Sequence, residues 1–283
     1  MSDGFINLNK PSGMTSHDAV NHVRRIFSVR KVGHAGTLDP AACGVLPIAI
    51  GRATKFIEYL ADCDKSYRAE ILFGVATDSG DLDGEVIARA DFVMPTADAI
   101  NAALKNFIGE IEQTPPKFSA IKIHGRKAYD LARHDADFEM PRRLVKIYRL
   151  ELAGLSEHSA TIEVDCGKGT YIRSLATDLG ARLGLPATLK SLVRLRVGDF
   201  KLGDALTFDY IKKIGADCLL PIEDCLRQLP TFELAEHRVR AFLNGLPTTV
   251  HEPDATALRI CAVGKFLGVG RIERGELRSS KIL

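Results

Sequence analysis

One carboxylate is set in a glycine-rich loop near the N-terminus. In the stretch GHAGTLDP, residues 33–40, Asp39 follows two glycines and precedes a proline, and His34 lies five residues upstream. The proline disfavours helical backbone at Asp39, and the glycines allow another chain to approach closely. A carboxylate held on such a loop could act as a nucleophile or as a base. An Asp-Pro pair is more often a plain turn, so these residues alone leave the chemistry open.

The signatures of several common enzyme classes are missing from the sequence. The chain has no Ser-His-Asp order, no dinucleotide fingerprint and no P-loop, since GKGTYIR at residues 167–173 lacks the Walker spacing. A glycosidase would need a second carboxylate at a fixed distance, which a sequence does not reveal. The sequence therefore favours cofactor-free chemistry on a bound substrate.

Two groups of potential metal ligands do not have the pattern of a metal site. The six cysteines include no C-x-x-C pair, so we expect free thiols in a reducing compartment rather than a zinc ribbon. The acidic stretch DSGDLDGEV, residues 78–86, resembles a calcium loop only in part, because Ser79 and Ala90 stand where acidic ligands are required. We interpret this stretch as a solvated hairpin tip.

Length and composition indicate an ordinary globular protein. A chain of 283 residues, 46% hydrophobic and 26% charged, predicts one large domain with a small appendage. The N-terminus has no apolar signal core, and the longest apolar stretch, residues 45–50, is far too short to span a bilayer. We expect a cytoplasmic protein.

Positive charge is concentrated at the two ends of the chain. The net charge is only +2, but residues 1–57 carry seven basic against three acidic side chains, and residues 259–283 carry six against two. A phosphate-rich partner that touches both ends would explain this distribution, and so would ordinary solvated surface charge. A further basic segment, residues 117–133, contains a tyrosine. This segment could bind RNA, or it could be an ordinary exposed strand-turn-helix without a binding role.

Hydrophobic periodicity predicts more strands than helices. Thr15 and Asp18 form a capping-box pattern at the start of a helix, and residues 67–75 alternate as a half-buried strand. Another helix follows GKGT and places Arg173 in its first turn. We predict an α+β fold, with helices packed on a mainly antiparallel mixed sheet in residues 1–228 and a small β-rich domain in residues 229–283.

Six segments in order carry a family resemblance from residue 4 to about residue 200. They are LNKPSGMTS, GHAGTLDP with GVLPIAIGRATK, KSYRAEILFGVATDSGDLDGE, QTPPKFSAIKIHGRKAYDLAR and GTYIRSLATDLG. With them the chain closely resembles the TruB family of tRNA pseudouridine synthases. Cys43 stands where that family usually has Thr or Ser, and the C-terminal residues resemble the small RNA-binding PUA domain only loosely.

The resemblance implies a reaction and a set of site residues. It implies that uridine 55 in the T arm of tRNA is isomerised to pseudouridine, by cleavage of the N-glycosidic bond and joining of C5 to C1′, without metal or organic cofactor. Asp39 matches the family's catalytic aspartate, which acts as a nucleophile or as a general base. Arg173 matches the arginine that pairs with this aspartate, and Tyr67 matches the tyrosine that stacks on the target uracil. The remaining matches are Tyr171 and Leu192 in the pocket, His34 as the residue inserted into the RNA loop, and Lys10 with Pro11 as supports of the catalytic loop.

Two alternatives share the same residues. The chain could serve mainly as a tRNA-binding module that remodels the tRNA elbow, because opening the RNA loop already requires such activity. It could also be the catalytic subunit of a guide-RNA complex, although it lacks a long basic terminal extension. We expect a stand-alone monomer that acts on tRNA without an obligate protein partner and without a membrane.

Overall fold

The computed structural model describes residues 3–119, 121–123, 125–132 and 138–283. The basic segment at residues 117–133 therefore lies partly outside the described residues, since Ala120, His124 and Arg133 are not among them. Within the described chain, no helix is long and apolar enough to cross a membrane.

The described chain contains eighteen strands and seven α-helices. The strands are β1 Gly4–Lys10, β2 Val32–His34, β3 Cys43–Ile50, β4 Lys65–Phe73, β5 Val75–Thr77, β6 Val86–Arg89, β7 Gly109–Gln113, β8 Lys122–Ile123, β9 Arg126–Lys127, β10 Arg143–Leu155, β11 Ser159–Cys166, β12 Ala187–Val197, β13 Phe200–Lys201, β14 Thr231–Glu233, β15 Thr248–Thr249, β16 Ala255–Ala262, β17 Lys265–Glu273 and β18 Glu276–Ile282. The helices are α1 Ser16–Phe27, α2 Ile57–Ala61, α3 Ala97–Leu104, α4 Ala128–Ala132, α5 Ile172–Leu183, α6 Phe208–Ile214 and α7 Val239–Leu243. Short 3-10 helices cover Gly51–Phe56, Lys105–Phe107, Leu202–Asp204, Gly215–Cys218, Asp224–Leu226 and Glu236–Arg238.

A nine-stranded sheet forms the centre of the molecule. Its main order is β1-β3-β12-β4-β11-β10-β7, with β2 paired to β3 and β13 paired to β12. The pairing of β12 with β3 is parallel, and the other pairings of this sheet are antiparallel. The predicted α+β class with a mainly antiparallel mixed sheet is confirmed.

Strand β4 shows how the sequence pattern builds this sheet. Its burial alternates, so that Tyr67, Ala69, Ile71 and Phe73 enter the core while Arg68 is exposed. An alternating strand presents successive side chains to opposite faces, and apolar residues at every second position bury one face. The inward face packs against α3 and α5 in the largest apolar cluster, which includes Ile100 and Leu175.

Helix α1 begins where the capping-box pattern predicts. The Thr15 hydroxyl accepts a hydrogen bond from the backbone N–H of Asp18, and the Asp18 carboxylate accepts one from the backbone N–H of Thr15. These two bonds satisfy donors that a helix N-terminus leaves free. The capping box therefore fixes the residue at which α1 begins.

The C-terminal residues build a second, smaller sheet. Its five strands lie in the order β14-β16-β17-β18-β15, and they enclose an apolar cluster that contains Leu234, Phe242 and Ile260. This sheet also packs against the central part of the chain, because the rings of Phe56 and Phe266 lie 5.9 Å apart between their centroids. The β-rich character predicted for residues 229–283 is present.

Candidate active site

A cavity of about 500 Å³ opens beside the loop between β2 and β3. This volume lies within the range of pockets that hold small ligands. Five of the residues expected from the sequence line it, and these are Asp39, Tyr67, Tyr171, Arg173 and Leu192. They come from a loop, from β4, from the start of α5 and from β12, so the fold brings together residues that are far apart in sequence.

Hydrogen bonds from Lys10 and Ser16 hold the backbone around Asp39 in place. Lys10 is fully buried, and its Nζ donates hydrogen bonds to the carbonyls of Pro11, Met14 and Pro40 at 2.9, 2.7 and 3.2 Å. The Ser16 hydroxyl exchanges two 2.9 Å bonds with the backbone of Leu38. Lys10 thus contacts the loop that carries Asp39, and Pro11 supplies one of the carbonyls that accept from Lys10; their supporting role stays a prediction.

Arg194 fastens the same loop from the opposite end. Its side chain is only 1% exposed, and it donates to the carbonyls of Gly36, Thr37 and Val45 at 3.1, 3.2 and 2.7 Å. A guanidinium carries five N–H donors in a fixed plane, which allows it to join several carbonyls at once. The sequence analysis missed this residue, although Arg194 stands two positions after Leu192, on the same inward face of β12.

Arg173 joins the Asp39 carboxylate to two other segments of the chain. Its Nη2 donates to Asp39 Oδ1 at 3.4 Å and to the Phe118 carbonyl at 2.9 Å, and its Nη1 donates to the Ser79 carbonyl at 3.0 Å. Its Nε lies 3.0 Å from Asp39 Oδ2. This Nε contact is an ion pair rather than an aligned hydrogen bond, because the Nε atom has no hydrogen-bond partner among the described residues. The pairing of Arg173 with Asp39 expected from the resemblance is therefore present as a contact.

The acidic stretch at residues 78–86 is more than a solvated hairpin tip. It connects β5 to β6, and Asp81 Oδ2 lies 3.5 Å from the Nε of Arg173. The Asp81 carboxylate is mostly buried, and its Oδ1 accepts a 2.6 Å bond from the Ser79 hydroxyl. The predicted hairpin is present, with Leu82 and Asp83 exposed at its tip, but the expectation that the whole tip is solvated was wrong, because Asp81 folds back onto the buried guanidinium. No sequence pattern indicated this contact.

Burial and charge act in opposite directions on the Asp39 carboxyl. Burial is the largest influence and raises its pKa above the ordinary value, and the nearby Asp81 carboxylate raises it further. The positive charges of Arg173 and Arg194 oppose this rise. The site thus holds an aspartate whose proton affinity is increased by its surroundings and limited by two guanidinium groups.

Tyr67 and Leu192 form an apolar wall of the cavity. Both side chains are buried, at 7% and 8% exposure, and they stand on the neighbouring strands β4 and β12. Burial raises the pKa of the Tyr67 phenol, while the charge of Arg194 acts to lower it. An aromatic ring in such a wall offers a face on which a nucleobase can stack.

The side chain of Gln113 holds the backbone of Tyr171, the residue that precedes α5. The buried Gln113, at the end of β7, accepts a 2.7 Å bond from the Tyr171 backbone N–H and donates a 3.0 Å bond to the Tyr171 carbonyl. Tyr171 itself provides no side-chain cap for the helix. The Gln113 amide therefore fixes the backbone from which Tyr171 and Arg173 extend into the cavity.

His34 and Pro11 are not among the residues that line the cavity. His34 ends β2 and is partly buried, and burial together with the charge of Arg194 lowers its pKa. Its Nδ1 atom has no hydrogen-bond partner in the described part of the chain. His34 thus stands beside the loop that carries Asp39 but outside the pocket, where a ligand longer than the pocket could reach it.

The described residues contain no group of three or more His, Cys, Asp or Glu side chains that could hold a metal ion. The six cysteines are free, and four of them are buried. What the site offers is one partly buried carboxylate, a guanidinium bound to it, and aromatic and apolar walls. The walls can position a nucleobase, and the carboxylate can act as a nucleophile or as a general base.

The sequence is similar to known enzymes over most of its length. Residues 24–172 match the family model described as TruB family pseudouridylate synthase, N terminal domain. A protein named tRNA pseudouridine synthase B from Dehalococcoides mccartyi (strain CBDB1) is 44% identical over 264 residues, which cover 90% of this chain and 88% of the relative. The protein of the same name from Azoarcus sp. (strain BH72) is 41% identical over 285 residues, which cover 99% and 95%.

The fold is also similar to solved structures. A chain in the crystal structure of a Cbf5-Nop10-Gar1 complex matches with a TM-score of 0.78 at 26% identity, covering 99% of this chain and 85% of the other. A chain in the archaeal box H/ACA sRNP Nop10-Cbf5 complex matches with a TM-score of 0.74 at 25% identity, covering 99% and 86%. The similarity therefore extends over both sheets.

Proposed function

The chain belongs to the TruB family of pseudouridylate synthases, and we propose that it converts uridine 55 in the T arm of tRNA to pseudouridine. The observation that carries the proposal is the cavity in which Asp39 contacts Arg173 beside Tyr67. Relatives named tRNA pseudouridine synthase B that align with nearly the whole chain support tRNA as the substrate.

The proposed reaction is an isomerisation with a balanced set of bonds. The N1–C1′ bond of the uridine breaks, the uracil turns in the cavity, C5 bonds to C1′, and the proton on C5 is lost while N1 gains one. We assign Asp39 as the nucleophile or base at the sugar, and Tyr67 as the stacking residue that helps to remove the C5 proton. Arg173 keeps the carboxylate ionised and oriented, since a charge-assisted pair favours the charged form.

We assign the other matched residues to binding of the RNA. Tyr171 and Leu192 would contact the base in the cavity. His34 would enter the RNA loop, where an inserted ring partly offsets the free energy lost by unstacking the bases. Lys10 and Pro11 would act only by supporting the loop that carries Asp39.

The guide-RNA alternative is less well supported than a stand-alone enzyme. The matched chains of Cbf5 complexes are 25% to 26% identical, whereas the relatives named tRNA pseudouridine synthase B reach 44% identity over 90% of this chain. We propose a monomer that works in the cytoplasm, with residues 1–228 as the catalytic domain. We propose residues 229–283, which contain the five-stranded sheet, as a small PUA-like domain that adds RNA contacts.

The proposed function can be tested on unmodified tRNA transcript. The wild-type protein and the Asp39→Asn variant would be incubated with the transcript, and pseudouridine mapped by carbodiimide adducts and primer extension. We expect one modified uridine in the T arm with the wild type and none with the variant, because an amide cannot replace the carboxylate. If neither protein modifies the tRNA but both bind it tightly, the tRNA-remodelling alternative would be favoured.

A further inference from the structure

Ser119 places a buried hydroxyl, which has no hydrogen-bond partner among the described residues, at the wall of the cavity that contains Asp39. The residue lines the cavity and is only 4% exposed. Its Oγ atom makes no hydrogen bond to any described residue. A buried hydroxyl without a hydrogen-bond partner lowers the stability of the folded state, because its hydration is lost and not replaced. Native proteins keep few such groups, so this one indicates a role outside stability.

Other buried or half-buried polar side chains of the cavity wall make hydrogen bonds within the described chain. Lys65 donates to the carbonyls of Ala61 and Cys63, and the Thr170 hydroxyl donates to the carbonyl of Gly167. Arg173 and Arg194 are committed to carbonyls and, for Arg173, to carboxylates. Thr37 also lines the cavity but is exposed, so water can satisfy its hydroxyl. Ser119 therefore differs from the other serine and threonine residues of this wall.

The backbone beside Ser119 is held in place by the catalytic guanidinium. The Phe118 carbonyl accepts a 2.9 Å bond from Arg173 Nη2, the same nitrogen that donates to Asp39. The Ser119 N–H donates a 3.0 Å bond to the carbonyl of Lys117, and the Ser174 hydroxyl donates to Thr114 at the start of this segment. Ser119 is thus positioned relative to Asp39 through a single shared side chain.

We propose that the Ser119 hydroxyl is a substrate-binding group that donates a hydrogen bond to a carbonyl oxygen of the target uracil. The inference rests on the proposed function, and it names a contact that deepens it. Uracil carries two carbonyl oxygens, on C2 and C4, on either side of N3. When the base turns so that C5 replaces N1 at the sugar, these two oxygens exchange places. One fixed hydroxyl can therefore hold the base before and after the turn.

A contact that is equally strong in the bound substrate and in the transition state has a defined kinetic signature. Interactions of equal strength in the bound substrate and the transition state lower KM without raising kcat. We expect Ser119→Ala to raise KM for unmodified tRNA by about 5- to 10-fold, the usual effect of losing one neutral hydrogen bond, with a much smaller change in kcat. The melting temperature should stay the same or rise, since the variant removes a buried hydroxyl that has no hydrogen-bond partner among the described residues.

The experiment compares wild type, Ser119→Ala and a control, Ser156→Ala, in the exposed turn between β10 and β11. KM and kcat are measured on tRNA with uridine, 2-thiouridine or 4-thiouridine at the target position. Sulfur is a weaker acceptor, so one thio substrate should raise KM for the wild type and the control but not for Ser119→Ala. A Ser119→Ala enzyme with unchanged KM, or one that responds to both thio substrates as the wild type does, would overturn the inference.

The same experiment separates this inference from the proposed function. A wild-type protein that forms no pseudouridine in any tRNA overturns the proposed function, and the Ser119 assignment with it. An active wild type with an unaltered Ser119→Ala overturns only the assignment. A lower melting temperature for Ser119→Ala would show that the hydroxyl stabilises the free protein, which also contradicts the proposal.

Discussion

The Nζ atom of Lys10 lies 3.2 Å from the carbonyl oxygen of Pro40, the residue that follows Asp39. This bond joins the end of β1 to the loop that carries the carboxylate, and two more carbonyls accept from the same ammonium group. Lys10 is fully buried, so it cannot meet RNA directly. We therefore expect Lys10 to act on the reaction through the position of the Asp39 loop.

Replacement of Lys10 by methionine should lower kcat while KM for tRNA changes little. The variant keeps an unbranched side chain of similar length but loses three charge-assisted bonds, each worth about 1.5–3 kcal/mol when donor or acceptor is ionised. We expect kcat to fall by about 10- to 100-fold. The exposed Lys105→Met serves as the control. A large rise in KM at constant kcat would contradict the supporting role.

The ionisation of Lys10 should also appear in the pH dependence of stability. Burial lowers the pKa of Lys10 to about 8 from 10.5. Between these values the unfolded chain holds the proton and the folded chain does not, so this group makes the free energy of unfolding rise with pH. Denaturant unfolding at pH 7.5 to 10.5 should show that the wild type gains stability relative to Lys10→Met over this interval. A difference that stays constant or shrinks would contradict the lowered pKa.

Asp81→Asn should move the acid limb of the pH-rate profile to lower pH. The Asp81 carboxylate raises the pKa of Asp39, and its removal leaves the charge of Arg173 to act on Asp39 alone. Because only the ionised Asp39 can act as nucleophile or base, activity should persist to lower pH. The rate at neutral pH should fall by about 10-fold or more, since Arg173 loses one of its carboxylate contacts. An acid limb that moves to higher pH would refute this account.

Local patterns in the sequence predicted the elements of the fold well. The alternation of Tyr67, Ala69 and Ile71 and the capping box at Thr15 are local features, and both are present in the structure. Arg173 also lies in the first turn of its helix as predicted. In each case residues near in sequence determine the outcome.

Contacts between distant segments were harder to predict. The Asp81 contact depends on a turn folding back over α5, and the Gln113 clamp on Tyr171 joins residues 58 positions apart. Hydrophobic periodicity carries no information about contacts between residues that are far apart in sequence. Arg194 is an intermediate case, because a charged residue two positions after Leu192 on an inward face indicates a buried ion or a site.

Binding of tRNA should weaken as salt concentration rises. Basic residues exceed acidic ones at both ends of the chain, and Arg25, Arg30 and Lys31 near β2 are exposed. Each phosphate contact adds about 0.7–0.9 to the slope of log Kd against log salt concentration, through release of counterions. Filter-binding measurements at salt concentrations from about 50 to about 200 mM should give such a slope. The Lys31→Glu variant should show a smaller slope. A flat response would exclude the electrostatic contribution.

Gly44 should be a position where even alanine is not tolerated. Its φ is +106°, and a Cβ atom there would lie 2.3 Å from the backbone oxygen of Arg194, whose side chain holds the Asp39 loop. The alanine variant must strain or separate the parallel pairing of β3 with β12. We expect Gly44→Ala to lower the free energy of unfolding by about 2–4 kcal/mol and to reduce kcat as the loop shifts. Gly203→Ala is the matched control, since nothing lies within 4 Å of its added Cβ. Equal unfolding midpoints for both variants in urea would mean that the contact between β3 and β12 does not fix the loop that carries Asp39.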